Sequence, residues 1–235
     1  MQNLFSLLSY GANGWGDELL AGTLITIALS LAILPVGLAA GFFIALGKQS
    51  NDPLIRSAAG IYTTIFRGVP ELLTLFLVYY GAQSGVTAIA HMFGAQVEIS
   101  PFVAGMVALG LVLSSYASEV FLSAFRGIPH GQYEAATALG LRRGVTMRLV
   151  IFPQLVRLAL PGLSNLWLNV MKDTALVSVI TLNDLLRQTT VAVAATKQPF
   201  FFYTVACFIY LVLSMAASVG VWRVYVWSSR GVSHR

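Results

Sequence analysis

The stretch Glu134-Ala-Ala-Thr-Ala-Leu-Gly140, with Val150-Ile-Phe-Pro153 following after nine intervening residues, is a polar segment set inside an apolar chain. Long uncharged runs lie on both sides of it. The same chain therefore has to reconcile spans that avoid water with a connector that needs it, and only a multi-span membrane protein does so. The connector faces soluble surroundings, so it is also the first place to look for a partner.

Working outward, 57% of the 235 residues are hydrophobic, 10% are charged, and mean hydropathy is +0.78. A soluble domain carries about 25% charged residues, so this composition excludes an ordinary soluble protein. A helix needs about 20 apolar residues to cross a hydrocarbon layer of about 30 Å. Residues 19–47, 72–90, 100–118, 158–171 and 198–222 qualify, the fourth by continuing through Lys172 and Asp173 into an uncharged stretch that ends at Asn183. These five runs predict an all-α integral membrane protein. Run 19–47 has no basic region before it and is much longer than a signal-peptide core, so it is expected to remain as a helix.

The net charge of +5 reads as topology and not as nucleic-acid binding. Lys and Arg near span ends stay in the cytoplasm. Only Asp17 and Glu18 precede the first run, whereas Lys48 and Arg56 follow it. Residues 83–100 contain neither Lys nor Arg, but the connector between spans three and four holds Arg126, Arg142, Arg143, Arg148 and Arg157. The tail adds Arg223, Arg230 and Arg235, and only Arg187 and Lys197 fall on the outer side. The pattern predicts N-out and C-in with the connector in the cytoplasm. Cys207 is the one cysteine, so neither an intramolecular disulfide nor a thiolate metal site is available, and it reads as a packing residue.

Two spans are irregular. Gly37 and Gly41, beyond Pro35, form a face on which a second helix could approach, within this chain or outside it. Pro70, in Arg67-Gly-Val-Pro-Glu71, predicts a break, and non-helical backbone at membrane depth is tolerated where it lines a watery cavity. Ionisable side chains at that depth cost about 2.5 to 3.5 kcal/mol each, which makes them functional candidates. Arg67 and Glu71 could pair at i, i+4 if the helix persists; Glu119 follows Ser115 by one turn; Asn165, Asn169 and Asp173 recur at i, i+4, i+8. The candidate polar pathway is Arg67, Glu71, Ser115, Glu119, Asn169 and Asp173, with a substrate carboxylate near Arg67 and cationic groups near Glu119 or Asp173. The competing reading pairs these charges with one another as structural glue.

In the connector, residues 130–148 favour helix, with Tyr133 to Leu139 as its formers and Gly140 where a C-terminal stop is expected. Ala135, Ala136 and Leu139 fall on one apolar face. On these grounds a docking helix and a plain solvated connector stand level. The spacing Glu134-Ala-Ala, Gly140, Val150-Ile-Phe-Pro153 resembles the EAA loop of ATP-binding cassette importer permeases, with Val150 and Phe152 as conservative departures from Ile-x-Leu-Pro. Arg67-Gly-Val-Pro-Glu71, Tyr116-Ala-Ser-Glu119, Arg126-Gly-Ile-Pro129, Ala159-Leu-Pro-Gly-Leu163 and Lys172-Asp-Thr-Ala-Leu-Val-Ser178 are similar to polar amino acid permeases, above all those for histidine, lysine/arginine/ornithine, octopine and nopaline.

The resemblance implies a type I importer permease fold in a bacterial inner membrane. Residues 1–18 would be extracytoplasmic, 19–228 the transmembrane domain with its coupling loop at 127–153, and 229–235 a cytoplasmic tail. Glu134, Ala135, Ala136, Gly140 and Pro153 would form the coupling element for a cytoplasmic ATPase dimer. The remaining partners would be a second homologous permease, an extracytoplasmic substrate-binding protein and a polar amino acid or opine, basic by the lean of Glu71. No G-x-x-x-x-G-K-[ST] loop occurs, so ATP and Mg belong to the ATPase partner and this chain is expected to bind no cofactor of its own. An ion-gradient-driven transporter or channel subunit is the alternative. His91, His130 and His234 lack metal-ligand spacing, so an enzyme is disfavoured.

Overall fold

The apolar runs become helices longer than the runs themselves. The computed structural model describes residues 4–11, 14–92 and 98–228, and within them no β-strand occurs. Long helices are α1 (Gly16–Lys48), α3 (Glu71–Met92), α4 (Pro101–Gly127), α7 (Phe152–Asp173) and α9 (Pro199–Ser228). Between them lie α2 (Pro53–Gly68), α5 (His130–Ala138), the single turn α6 (Arg143–Thr146) and α8 (Leu185–Thr196). Among the described residues five segments are long and apolar enough to cross a membrane: Gly16–Lys48, Glu71–Ile89, Pro101–Gly127, Arg143–Ile180 and Pro199–Val226. The predicted tail 229–235 lies outside the described residues.

Helix α4 is the axis of the packing. Ala108 and Leu113 of α4 are buried with Leu29 and Ile33 of α1, Leu75 of α3 and Val170 of α7. Because lipid is as apolar as a leucine side chain, such contacts hold by close packing and not by escape from water. The glycines show how close. A Cβ on Gly41 would stand 2.8 Å from the Ala117 Cβ and 2.9 Å from the Ser114 carbonyl oxygen, and one on Gly37 would meet Leu113. The small face predicted on the first span thus serves α1 against α4 within this chain.

Further along, Phe42 packs edge-on to Phe121 at 5.6 Å and to Phe152 at 5.8 Å, tying α1, α4 and the start of α7. α8 is fixed by hydrogen bonds. The buried Asp184 caps it, accepting from Arg187 N–H at 3.0 Å and Leu186 N–H at 3.4 Å, while the Leu185 N–H donates to Thr26 Oγ1 on α1 at 3.2 Å.

Span four departs most from expectation. The helix starts at Arg143, so Arg143, Arg148 and Arg157 sit on it and not on a loop. A π turn over Met147–Ile151 precedes Pro153, where the missing N–H interrupts the regular ladder. After Asp173 the chain tightens into a 3-10 helix, Thr174–Ile180, and ends on Thr181 in the left-handed region at φ 68°.

Candidate functional site

The break at Pro70 builds the site. Val69 is extended, as the residue before a proline must be, so α2 stops at Gly68 and α3 restarts with Glu71 in its first turn. The turn places Glu71 against α4 and α7, where it lines a cavity of about 340 Å³ with Tyr116, Asn169, Asp173 and the apolar Leu109 and Val112. Glu71 and Asp173 stand close enough across it to interact electrostatically. Among the described residues neither carboxylate has a salt-bridge partner. Lys172, adjacent in sequence to Asp173, points to the exposed side and adds only a Coulombic attraction.

Three of the predicted pathway residues, Glu71, Asn169 and Asp173, meet in this cavity. The other three do not line it. Ser115 is fully buried and its hydroxyl donates to the Val112 carbonyl at 2.7 Å, which spends its hydrogen bond on its own helix. Arg67 does not pair with Glu71, because the helix that would bring them together at i, i+4 ends between them. Instead its guanidinium donates to Glu119 Oε1 at 3.2 Å and lies 5.5 Å over the Tyr116 ring. Glu119 also takes Lys48 Nζ at 2.7 Å, so one carboxylate oxygen holds two cations from α1 and α2. Lys48 was legible in sequence only as a topology marker, since its partner is 71 positions away. Asn165, the first member of the predicted stripe, is exposed and lines neither the cavity nor this cluster.

The connector forms a second candidate site. α5 ends where Gly140 takes φ +70°, and two bonds close the turn: Gly140 N–H to Thr137 O at 2.9 Å and Leu141 N–H to Ala136 O at 3.0 Å. This is the 5→2 and 6→1 pattern that satisfies the last carbonyls of a helix. Ala136 is buried, with Tyr133 half-buried beside the Ile151 cluster, and Gln154 donates to Gln132 at 3.2 Å to fasten α5 to α7. Ala135 and Leu139 are exposed, as are Glu134, Gly140 and Pro153. The predicted single apolar face is therefore divided: Ala136 points inward and anchors the helix, while Ala135 and Leu139 point out. Glu134 meets His130 at 3.1 Å on the exposed surface. Among the described residues no group of three His, Cys, Asp or Glu side chains could hold a metal ion.

Similarity to known proteins follows the same architecture. Residues 33–226 match the family described as the binding-protein-dependent transport system inner membrane component. The nopaline transport system permease protein NocQ of Agrobacterium fabrum is 39% identical over 230 residues, covering 97% of this chain and 98% of that protein. The histidine/lysine/arginine/ornithine transport system permease protein HisQ of Escherichia coli is 37% identical over 206 residues, covering 87% and 90%. A solved amino acid ABC transporter with histidines superimposes with a TM-score of 0.76 at 32% identity, over 90% of this chain and 94% of that one. With the matched region spanning the break at Pro70, the cavity and the connector alike, the chain belongs to the inner membrane component family of binding-protein-dependent transport systems.

Proposed function

We propose that this chain is one permease subunit of an ATP-driven importer for a polar, basic amino acid or opine. The observation that carries the reading is the cavity between α3, α4 and α7, in which Glu71 and Asp173 have no salt-bridge partner among the described residues. A half-buried carboxylate without a cation is disfavoured, so a cavity lined by two of them favours a ligand that brings positive charge. The relatives carry nopaline and the basic amino acids in their names, which agrees with that chemistry.

The chain sits N-out and C-in in a bacterial inner membrane, with residues 1–18 outside, 19–228 as the transmembrane domain and 229–235 in the cytoplasm. The clustering of cations at Lys48, Arg126, Arg142, Arg143, Arg148 and Arg223 supports this orientation. Glu134, Ala135, Gly140 and Pro153 present the coupling surface to the ATPase, and the buried Ala136 holds that surface in place. ATP is hydrolysed by the ATPase pair, a binding protein delivers substrate from outside, and a second permease completes the path. Substrate and ATP hydrolysis are linked only as far as each binds one conformation better than the other.

The test is uptake by the reconstituted complex, with calorimetry of its binding protein against histidine, arginine, lysine, ornithine, octopine and nopaline to identify the substrate. Glu71→Gln with Asp173→Asn is expected to abolish uptake of that substrate while the complex stays assembled. Unchanged uptake removes the cavity from the path.

A further inference from the structure

The cations near the cavity are unequal. Lys48 is 9% exposed in its side chain and holds Glu119 at 2.7 Å; Arg67 is 45% exposed and holds the same oxygen at 3.2 Å. Arg67 is also the penultimate residue of α2, next to the extended turn at Val69, so its side chain projects from a helix end and not from a packed face. Withdrawing Arg67 leaves Glu119 still paired with Lys48. Withdrawing Lys48 instead would strand a nearly buried ammonium. Breaking a pair is costly mainly when it strands a buried charge: Lys48, 9% exposed, would be stranded away from Glu119, whereas Arg67, 45% exposed, would not, so Arg67 is the less costly of the two to release. The released guanidinium has its next neighbour already in contact: Tyr116, whose ring lies under Arg67 and also lines the cavity.

We propose that Arg67 is an exchange arm: at rest it is paired with Glu119, and it changes partner to the carboxylate of an amino acid in the cavity, while Lys48 keeps Glu119 neutralised. Glu119 and Lys48 are then positioning residues that act on the ligand through Arg67, and neither touches it. A guanidinium and a carboxylate form a charge-assisted pair of matching geometry, so the exchange trades one such bond for another. The proposal rests on the cavity being the substrate path.

Because Glu119 competes with the ligand and Lys48 weakens that competition, removing them has opposite effects. The whole complex of permeases and ATPases is placed in nanodiscs without binding protein, and equilibrium binding of L-arginine and of agmatine, which lacks the carboxylate, is measured. Glu119→Gln is expected to bind L-arginine about threefold to tenfold tighter than the unaltered complex, and Lys48→Gln about threefold to tenfold weaker. Arg67→Gln weakens binding and abolishes the gain from Glu119→Gln. Agmatine affinity is the same in the Glu119 and Lys48 variants as in the unaltered complex. Lys48→Arg, which keeps the cation, restores L-arginine binding and checks that the Lys48→Gln protein is intact. Shifts of the same sign in Glu119→Gln and Lys48→Gln, no shift in either, or parallel shifts for agmatine overturn the exchange. If Glu71→Gln with Asp173→Asn leaves L-arginine binding untouched, or the unaltered complex shows no saturable binding, the cavity reading fails. Loss of binding in that double variant, with no response to Glu119→Gln, defeats the exchange alone.

Discussion

Gly41→Ala tests the packing that carries the cavity. The added Cβ would lie 2.8 Å from the Ala117 Cβ and 2.9 Å from the Ser114 carbonyl oxygen, with the Ser118 nitrogen at 3.2 Å. Carbon atoms rest about 3.5 to 4.0 Å apart, so α1 and α4 must separate locally by somewhat less than 1 Å, and two of the three neighbours are backbone atoms that cannot rotate away. Overpacking of this kind costs about 1 to 3 kcal/mol. The gain in helix propensity from glycine to alanine is up to about 1 kcal/mol, leaving a net loss of up to about 2 kcal/mol. Gly220→Ala on α9 supplies the reference, because a Cβ there has no neighbour within 4 Å and only the propensity gain remains. Thermal unfolding of the purified complex in detergent should show Gly41→Ala melting several degrees below Gly220→Ala, at about 2 to 4 °C per kcal/mol for a chain of this size. Adding Ala117→Gly removes the 2.8 Å contact but not the one to Ser114, so recovery is partial. Equal melting of the two single variants would refute the close approach of α1 to α4.

Two further outcomes follow from single positions. Gly140→Ala forces a Cβ into the left-handed region at a cost of about 1 to 2 kcal/mol with no steric clash, so α5 frays at its end and binding-protein-stimulated ATPase activity falls; Gly140→Asn, which tolerates that conformation, stays near the unaltered rate. Equal activity of the two would show that the turn geometry does not matter to coupling. Asp184 is buried and its carboxyl is raised from the ordinary 3.8 to about 6 by loss of solvation, which outweighs the two N–H groups it caps. A carboxyl whose folded pKa exceeds its unfolded one binds protons more readily in the folded state. Stability therefore rises as pH falls through about 6 toward 4, by on the order of 3 kcal/mol in all. Asp184→Asn removes that dependence, so the difference in melting temperature between the two proteins should change between pH 7.5 and pH 5; a constant difference contradicts the raised carboxyl.

The five spans were legible because each contains an uninterrupted apolar run, and the break at Val69 because proline excludes its predecessor from the helix. Their ends were not. α4 continues through Glu119 and Arg126 to Gly127, since a charged residue ends an apolar run without ending a helix whose backbone bonds are all internal. Residues 174–180 read as more helix, and nothing in Thr-Ala-Leu-Val-Ser-Val-Ile foretells the tighter 3-10 winding. Within the site, helical spacing correctly joined Asn169 to Asp173 but overreached at Asn165, and it placed Arg67 with Glu71 across a turn that pulls them apart. Pairings between helices, such as Lys48 with Glu119 or Tyr62 with Ser114 at 2.7 Å, have no periodicity to reveal them. They depend on which faces α1, α2 and α4 present, and that is decided by the close packing at Gly37 and Gly41.

That packing also sorts the charges. Glycine at positions 37 and 41 brings α1 against α4, and the same contact carries the end of α1 to a level where Lys48 reaches Glu119. With Glu119 so occupied, Arg67 is shared and not consumed, and the cluster of Lys48, Arg67 and Glu119 keeps one net positive charge. Across Tyr116 the cavity is lined by two carboxyl groups, those of Glu71 and Asp173. The field between them has a direction, and on the proposed reading a zwitterion with a cationic side chain would align with it: carboxylate toward Arg67, cation toward Glu71 and Asp173. A neutral amino acid would satisfy only part of that field, because it brings one cationic group to two carboxyls. On the proposed reading Lys48 contributes to this alignment together with the acids, because it offsets Glu119 and leaves the charge of Arg67 available to a ligand.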